Sequence, residues 1–139
     1  MDGNNLTLIS DVDSIEALRN RFVTDEWPKF LAFQQNNLTI TIRLSVLKSL
    51  QWFDGHFPEN PILPGVVQVH WACELSKLLF SITTPFEKIT KLRFKTVVLP
   101  DTKLTLLLEK NVDLKHIAFL YTCDDAVISS GNVRFKEAQ

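Results

Sequence analysis

Apolar and polar residues alternate along most of the chain, and this alternation predicts a series of β-strands. Between Ile40 and Val46 every second residue is isoleucine, leucine or valine, with threonine, arginine and serine between them. A period of two is typical of a strand that buries one face. The pattern returns after residue 90, where it predicts strands over 91–98, 104–108 and 117–123 and a last strand that ends near Phe135.

Two other segments have the spacing of helices. Asp13 and Glu16 are placed as in a capping box, which predicts a short helix over about 14–23. The apolar residues that share one face of this helix are Ile15, Leu18 and Phe22. The segment 27–33, which follows it, is apolar, and its pattern does not distinguish a helix from a strand.

The second helix is predicted to begin at Gly65, and it is apolar on nearly all sides. Such a helix is buried rather than lying on the surface. Its one coherent polar stripe has spacings of four, three and four residues, which places its members on a single face. The residues of this stripe are His70, Glu74, Lys77 and Ser81.

The order of these elements predicts an α+β fold. One early strand, one buried helix and four later strands joined by short turns favour a curved antiparallel sheet wrapped around a central helix. This arrangement is the hot-dog fold. With no repeat or linker, the interpretation is a single domain over 1–139, with a core over 38–139 and an N-terminal segment, 1–37, of uncertain structure.

Composition narrows the class of protein. The chain has 139 residues, of which 45% are hydrophobic, enough to fill one core without disulfides. Its net charge of −1 argues against broad binding of nucleic acids or anionic membranes. Cys73 and Cys123 have no metal-binding spacing, and no segment has the character of a signal peptide or a membrane span. We therefore expect a soluble, cytoplasmic protein that contains no metal site.

The loop before the central helix combines rigidity with a histidine. Pro58, Pro61 and Pro64 recur every three residues and stiffen it. Gly65 then places an unobstructed N–H at the positive end of a helix, which suits an oxygen that becomes negative during a reaction. His56 has the pKa range of a general base that removes a proton beside a thioester carbonyl. The alternative interpretation is a rigid turn with an incidental histidine.

This loop resembles a family motif. Gly55-His56-Phe57-Pro58, Pro61 and Pro64-Gly65-Val66 are similar to the motif of the β-hydroxyacyl-acyl carrier protein dehydratases. They resemble even more closely the shorter dehydratase-like proteins of aryl polyene pigment clusters. A weaker likeness continues through 91–101, so that the resemblance covers about 38–135.

The resemblance implies a hot-dog fold, usually dimeric, with active sites at the subunit interface. His56 matches the family's catalytic histidine, and Gly65 matches the glycine whose N–H polarises the thioester carbonyl. The second catalytic residue of the family is a glutamate or aspartate, and His70 occupies its position here. His70 is therefore the candidate acid, and Glu74, one helical turn later, either supports a charged His70 or supplies the carboxyl group itself.

Further residues are candidates for contacts with the acyl chain of the substrate. Phe57, Leu63 and Val66 complete the predicted substrate-binding set, and Phe53 and Trp71 are further candidates for the wall of an acyl tunnel. Aromatic and aliphatic residues of this kind also form ordinary core.

A run of basic residues is either a docking patch for an acidic carrier protein or a solvated face of a strand. Three of them, Lys91, Arg93 and Lys95, are predicted to lie on one face of that strand. The members of the run are Lys88, Lys91, Arg93 and Lys95.

The predicted function is that of a lyase without a cofactor. It would dehydrate 3-hydroxyacyl thioesters on an acyl carrier protein to trans-2-enoyl thioesters, in fatty acid or polyene-type lipid biosynthesis. One alternative is a non-catalytic or partner-dependent hot-dog subunit that binds acyl chains, in a homodimer or a heterodimer. Another is a hot-dog acyl thioesterase.

Overall fold

A six-stranded antiparallel sheet makes up most of the computed structural model, which describes residues 15–54, 61–113 and 115–138. In chain order the strands are β1 (Lys29–Gln35), β2 (Thr39–Val46), β3 (Phe86–Phe94), β4 (Thr102–Asn111), β5 (His116–Cys123) and β6 (Ala126–Phe135). In space their order is β1-β2-β4-β5-β6-β3. The helices are α1 (Ile15–Arg21) and α2 (Gly65–Leu79), with a 3-10 turn at Gln51–Phe53. Within the described residues, neither helix is long and apolar enough to cross a membrane.

The alternating strands bury one face, as predicted. The apolar residues at every second position of β2, from Ile40 to Val46, are completely buried. Ile42 pairs with Leu106 of β4, which pairs in turn with Tyr121 of β5. Leu107 alternates with these residues and is only half-buried. One face of the sheet therefore forms the core, and the other faces outwards.

Helix α2 packs on the inner face of the sheet, as its all-round apolar character predicted. Trp71 and Leu75 are fully buried. Two hydrogen bonds join the helix to β5 and β6. The Tyr121 hydroxyl donates to the Gln68 carbonyl at 2.7 Å, and Ser129 Oγ donates to Gln68 Oε1 at 2.6 Å. Because both bonds meet at one residue, they fix the rotation of α2 about its axis, and with it the direction of the exposed stripe.

The N-terminal segment that the sequence left unassigned contributes to the sheet. Its ambiguous part forms β1, which pairs antiparallel with β2 and has a bulge between Phe30 and Ala32. Helix α1 packs beside it through the buried Leu18, and Arg19 Nε donates to the Phe30 carbonyl at 2.9 Å. The predicted cap Asp13 lies outside the described residues.

Strand β3 lies closer to the N-terminus than predicted. It runs from Phe86 to Phe94 instead of over 91–98. Its pairing with β6 is interrupted between Thr90 and Arg93, where Lys91 has a φ of 55°. The prediction that Lys91, Arg93 and Lys95 share one strand face is wrong for Lys95, because the strand ends at Phe94.

Candidate active site

Gly65 is the first residue of α2, as predicted. Pro64 caps the helix in an extended conformation, with φ −59° and ψ 141°. The first N–H groups of a helix have no carbonyl partner within it and lie at the positive end of its dipole. The N–H of Gly65 is one of these donors, which places it where it could hold a developing negative charge.

The neighbours of Gly65 differ in exposure. Val66 is 73% exposed on the first turn, and a ligand approaching Gly65 would meet it. Leu63 is buried, and its N–H donates to the Val98 carbonyl at 2.8 Å, which ties the end of the loop to the segment after β3. Phe53 and Trp71 are both buried in the core of the single chain.

His70 lies on the exposed stripe of α2, where its ring contacts an aromatic side chain. The ring centroid of Trp27 is 5.5 Å from that of His70, at an interplanar angle of 38°. Glu74 is exposed one turn further along the helix. Among the described residues no salt bridge joins Glu74 to His70 or to Lys77, so that carboxylate remains available to solvent.

A short segment before β1 brings Trp27 to the helix. The carbonyl of Glu26 accepts two indole N–H bonds, from Trp71 and from Trp52, each at 2.8 Å. The N–H of Gln51 donates to the Asp25 carbonyl at 3.1 Å. Sequence reasoning did not find this contact, because nothing in the local pattern around residue 27 points to a partner near residue 70.

His56 and Phe57 lie outside the described residues, so their predicted roles remain predictions. The remaining histidine, His116, is half-buried at the start of β5, and burial, followed by the charges of Arg134 and Lys91, lowers its pKa. Within the ranges the structure describes, no three His, Cys, Asp or Glu side chains are grouped so that they could hold a metal ion.

Part of the basic run borders a depression on the outer face of the sheet. Lys91 and Arg93 line a cavity of about 390 Å³. Leu107, Ala118 and Leu120 form its apolar floor. The cavity lies on the face of the sheet opposite α2, so these two cations are separated from Gly65 and His70 by the sheet.

An antiparallel sheet packed around one buried helix is the hot-dog fold. Residues 32–132 match the model of the ApeI-like family, described as ApeI dehydratase. This chain belongs to that family.

Individual relatives agree with this assignment. Over 65 residues the chain is 45% identical to the 3-hydroxyacyl-[acyl-carrier-protein] dehydratase FabZ of Clostridium beijerinckii, a match that covers 42% of this chain and 46% of that protein. The FabZ of Clostridium perfringens strain SM101 is 36% identical over 94 residues, covering 60% of this chain and 68% of that protein. The chain thus spans about half of the length of the first curated relatives that it matches.

A solved structure matches over a longer range. It is described as the dehydratase heterocomplex ApeI:P from Xenorhabdus doucetiae. The match has a TM-score of 0.76 and 27% sequence identity, and covers 80% of this chain and 99% of that one. The predicted fold and family are therefore confirmed.

Proposed function

We propose that this protein eliminates water from 3-hydroxyacyl thioesters carried on an acyl carrier protein, giving trans-2-enoyl thioesters for fatty acid or aryl polyene-type lipids. The observation that carries the proposal is the start of α2 at Gly65 together with His70 on its exposed stripe, in a chain of the ApeI-like family. The names of the FabZ relatives support the same reaction.

The first half of the reaction is proton removal from C2 of the acyl chain. The imidazole of His56 would take this proton, because a neutral histidine is a competent base near neutral pH. Negative charge then develops on the thioester oxygen. The N–H of Gly65, aided by the dipole of α2, would stabilise that oxygen more strongly than it does the neutral carbonyl, which lowers the barrier.

The second half is departure of the hydroxyl from C3. A protonated His70 would donate its proton to this oxygen, the C3–O bond would break, and the electron pair from C2 would form the C2=C3 double bond. Water leaves, and proton exchange with solvent restores a neutral His56 and a protonated His70. His70 is exposed, which allows this exchange. Glu74, exposed one turn later, is the alternative acid.

The acyl chain and its carrier would be held by residues around Gly65. Val66 is accessible on the first helical turn, and Leu63, two residues before Gly65, is buried. Phe57 would complete this set. The thioester requires no further electron sink, so the proposed chemistry involves no cofactor.

We also propose a second hot-dog subunit as a partner, in a homodimer or a heterodimer. Strand β3 is at an edge of the sheet, and a large part of the exposed apolar surface lies on it and on the segment that follows. Exposed apolar edge strands tend to pair with another chain. The similar solved chain is described as part of a heterocomplex. The exposed apolar residues of this region are Phe86, Leu92, Phe94, Val97 and Leu99.

The test is intact-mass analysis of a 3-hydroxyacyl carrier protein after incubation with the purified protein. We expect the carrier to lose the mass of one water with the wild type, but not with His56→Ala or His70→Ala. His116→Ala is the matched control, because it removes the third histidine outside the site and should leave turnover unchanged. Water loss that survives His70→Ala moves the acid role to Glu74, and release of the free acid instead indicates a thioesterase.

A partner-dependent subunit is the second candidate function, favoured by the exposed apolar edge at β3. For this candidate, the protein alone would bind acyl carrier protein without removing water, and turnover would require a second hot-dog chain. Native mass spectrometry of the wild type and of Leu92→Lys would show whether the edge binds a second copy. A wild type that is active as a homodimer would reject this candidate.

A further inference from the structure

Trp27 is the aromatic neighbour of His70, although it belongs to the segment before β1. The two rings have centroids 5.5 Å apart and are tilted by 38°, which is within the range of packed aromatic pairs. The imidazole is otherwise exposed on α2. An exposed side chain samples several rotamers, and contact with a fixed ring on one side reduces that number.

Trp27 is itself held in place from several directions. Its ring lies 4.1 Å from that of Phe22, centroid to centroid. The preceding residue, Glu26, accepts the indole N–H of Trp71 through its carbonyl at 2.8 Å. Because Trp71 follows His70 on the helix, two adjacent residues of the segment contact two adjacent residues of α2. These contacts hold the indole of Trp27 beside His70, and moving it away from α2 would also break the hydrogen bond between Trp71 and Glu26.

We infer that Trp27 is a positioning residue for His70: it orients the imidazole for proton transfer to the substrate hydroxyl. This inference rests on the proposed role of His70 as the acid. A flat ring that packs against an imidazole leaves its nitrogen atoms free to donate and accept protons while it restricts rotation of the side chain. The electron-rich face of an indole also attracts cations, which suits a histidine that carries a proton during the cycle.

A purely structural role for Trp27 makes a different prediction. If it only fills space, its truncation lowers stability, and the folded fraction keeps the turnover number of the wild type. A positioning role instead lowers kcat in folded protein, because a small displacement of a catalytic group is costly. KM changes little, because the indole contacts His70 rather than the acyl chain.

The experiment measures kcat and KM of Trp27→Leu and Trp27→Phe, each with His70 intact and in the His70→Ala background. We expect Trp27→Leu to lower kcat by about tenfold with KM within about twofold, and Trp27→Phe, which keeps a flat ring, to retain most of the activity. In the His70→Ala background, the residual turnover, measured at high enzyme concentration, should fall no further with Trp27→Leu. An equal decrease in both backgrounds would overturn the inference. Phe33→Leu, a half-buried aromatic on β1, controls for a general effect of aromatic truncation.

A second measurement does not depend on turnover. The ring protons of the three histidines can be followed by NMR, with the His70 signals assigned from a His70→Gln variant. We expect Trp27→Leu to shift the His70 signals, because it removes the ring current of the indole, and to leave those of His116 in place. Unmoved His70 signals reject the inference even if the protein dehydrates its substrate. Shifted signals without water loss would mean that the contact exists and that the proposed function has failed.

Discussion

The ring of Phe94, at the end of β3, lies directly against Gly65 at the start of α2. A β-carbon placed on residue 65 would stand 2.7 Å from both Cε1 and Cζ of that ring, closer than real contacts of this kind. Phe94 is 48% exposed, so the tip of its ring has room to move. Any residue larger than glycine would therefore displace an aromatic ring beside the proposed carbonyl site.

Gly65→Ala tests whether this glycine serves packing or chemistry. We expect the free energy of unfolding, measured with urea, to fall by less than about 1 kcal/mol, because the half-exposed ring can swing aside. Dehydratase activity should fall by at least about tenfold, because the new methyl and the displaced ring crowd the N–H that would hold the carbonyl oxygen. A loss of several kcal/mol that Phe94→Leu relieves would show instead that packing alone requires glycine here.

The single tyrosine provides a pH-dependent test of the core. Tyr121 is buried and donates to the Gln68 carbonyl, and burial, followed by the charge of Cys73, raises its pKa well above 10.0. Because the pKa is higher in the folded state than in the unfolded state, this group stabilises the fold below pH 10, and the contribution is lost as the pH rises further. We expect tyrosinate absorbance to appear only together with the loss of the circular dichroism signal. Tyrosinate formation in protein that keeps its native circular dichroism would contradict the buried position.

The buried hydrogen bond between Ser129 and Gln68 should contribute measurably to stability. Ser129→Ala leaves Gln68 Oε1 buried without this donor, which we expect to cost about 1–3 kcal/mol in urea denaturation. Combining it with Gln68→Leu should cost less than the sum of the single changes, because both partners are then removed. Ser130→Ala is the matched control on β6: this residue is half-buried, and its loss should change stability by about 0.5 kcal/mol or less. Strict additivity of the pair would argue against a direct bond.

The two cysteines should differ in reactivity. Burial, together with the neighbouring Glu74, raises the pKa of the Cys73 thiol from 9.0 to about 11, whereas Cys123 is half-buried at the end of β5. Since the thiolate is the reactive form, we expect iodoacetamide at pH 8 to modify Cys123 at least about tenfold faster than Cys73 in the native protein. Peptide mass spectrometry would measure both rates, and the difference should disappear in denaturant. Equal rates in the native state would refute the buried environment of Cys73.

Elements that bury one regular face were predictable from the sequence. Strands β2, β4 and β5 alternate over most of their length, β6 alternates from Ser129 onwards, and α2 is apolar enough to be buried on nearly all sides. In each case the local pattern carries the information, because a strand or helix that packs against one core repeats its apolar residues at its own period.

Strands β1 and β3 were not predictable in the same way. The bulge between Phe30 and Ala32 breaks the period of β1, and the one between Thr90 and Arg93 breaks that of β3. On β3 the apolar residues other than the half-buried Ile89 are exposed in the single chain, so burial in this core does not explain their positions. The second subunit proposed above would cover these exposed residues.

The same distinction applies to the candidate site: local patterns predict some of its positions, and contacts between distant segments determine the others. The positions of Gly65 and His70 follow from local helix geometry, and the structure places both where the spacing predicted them. The contact of Trp27 with His70 joins distant parts of the chain, and an apolar residue in an ambiguous segment carries no signal of its partner. His56 stays a prediction from the motif.

The double hydrogen bond to the Glu26 carbonyl has a consequence for spectroscopy. Trp52 and Trp71 both point to that carbonyl, and Trp27 is the next residue, so all three tryptophans of the chain meet in one region. Intrinsic fluorescence of this protein is therefore a local probe of the junction between the N-terminal segment and α2. Release from α2 of the residues before β1, with β1 still paired to β2, would change the emission while the β-sheet signal stayed constant. Fluorescence and circular dichroism together would therefore separate this local release from unfolding of the sheet.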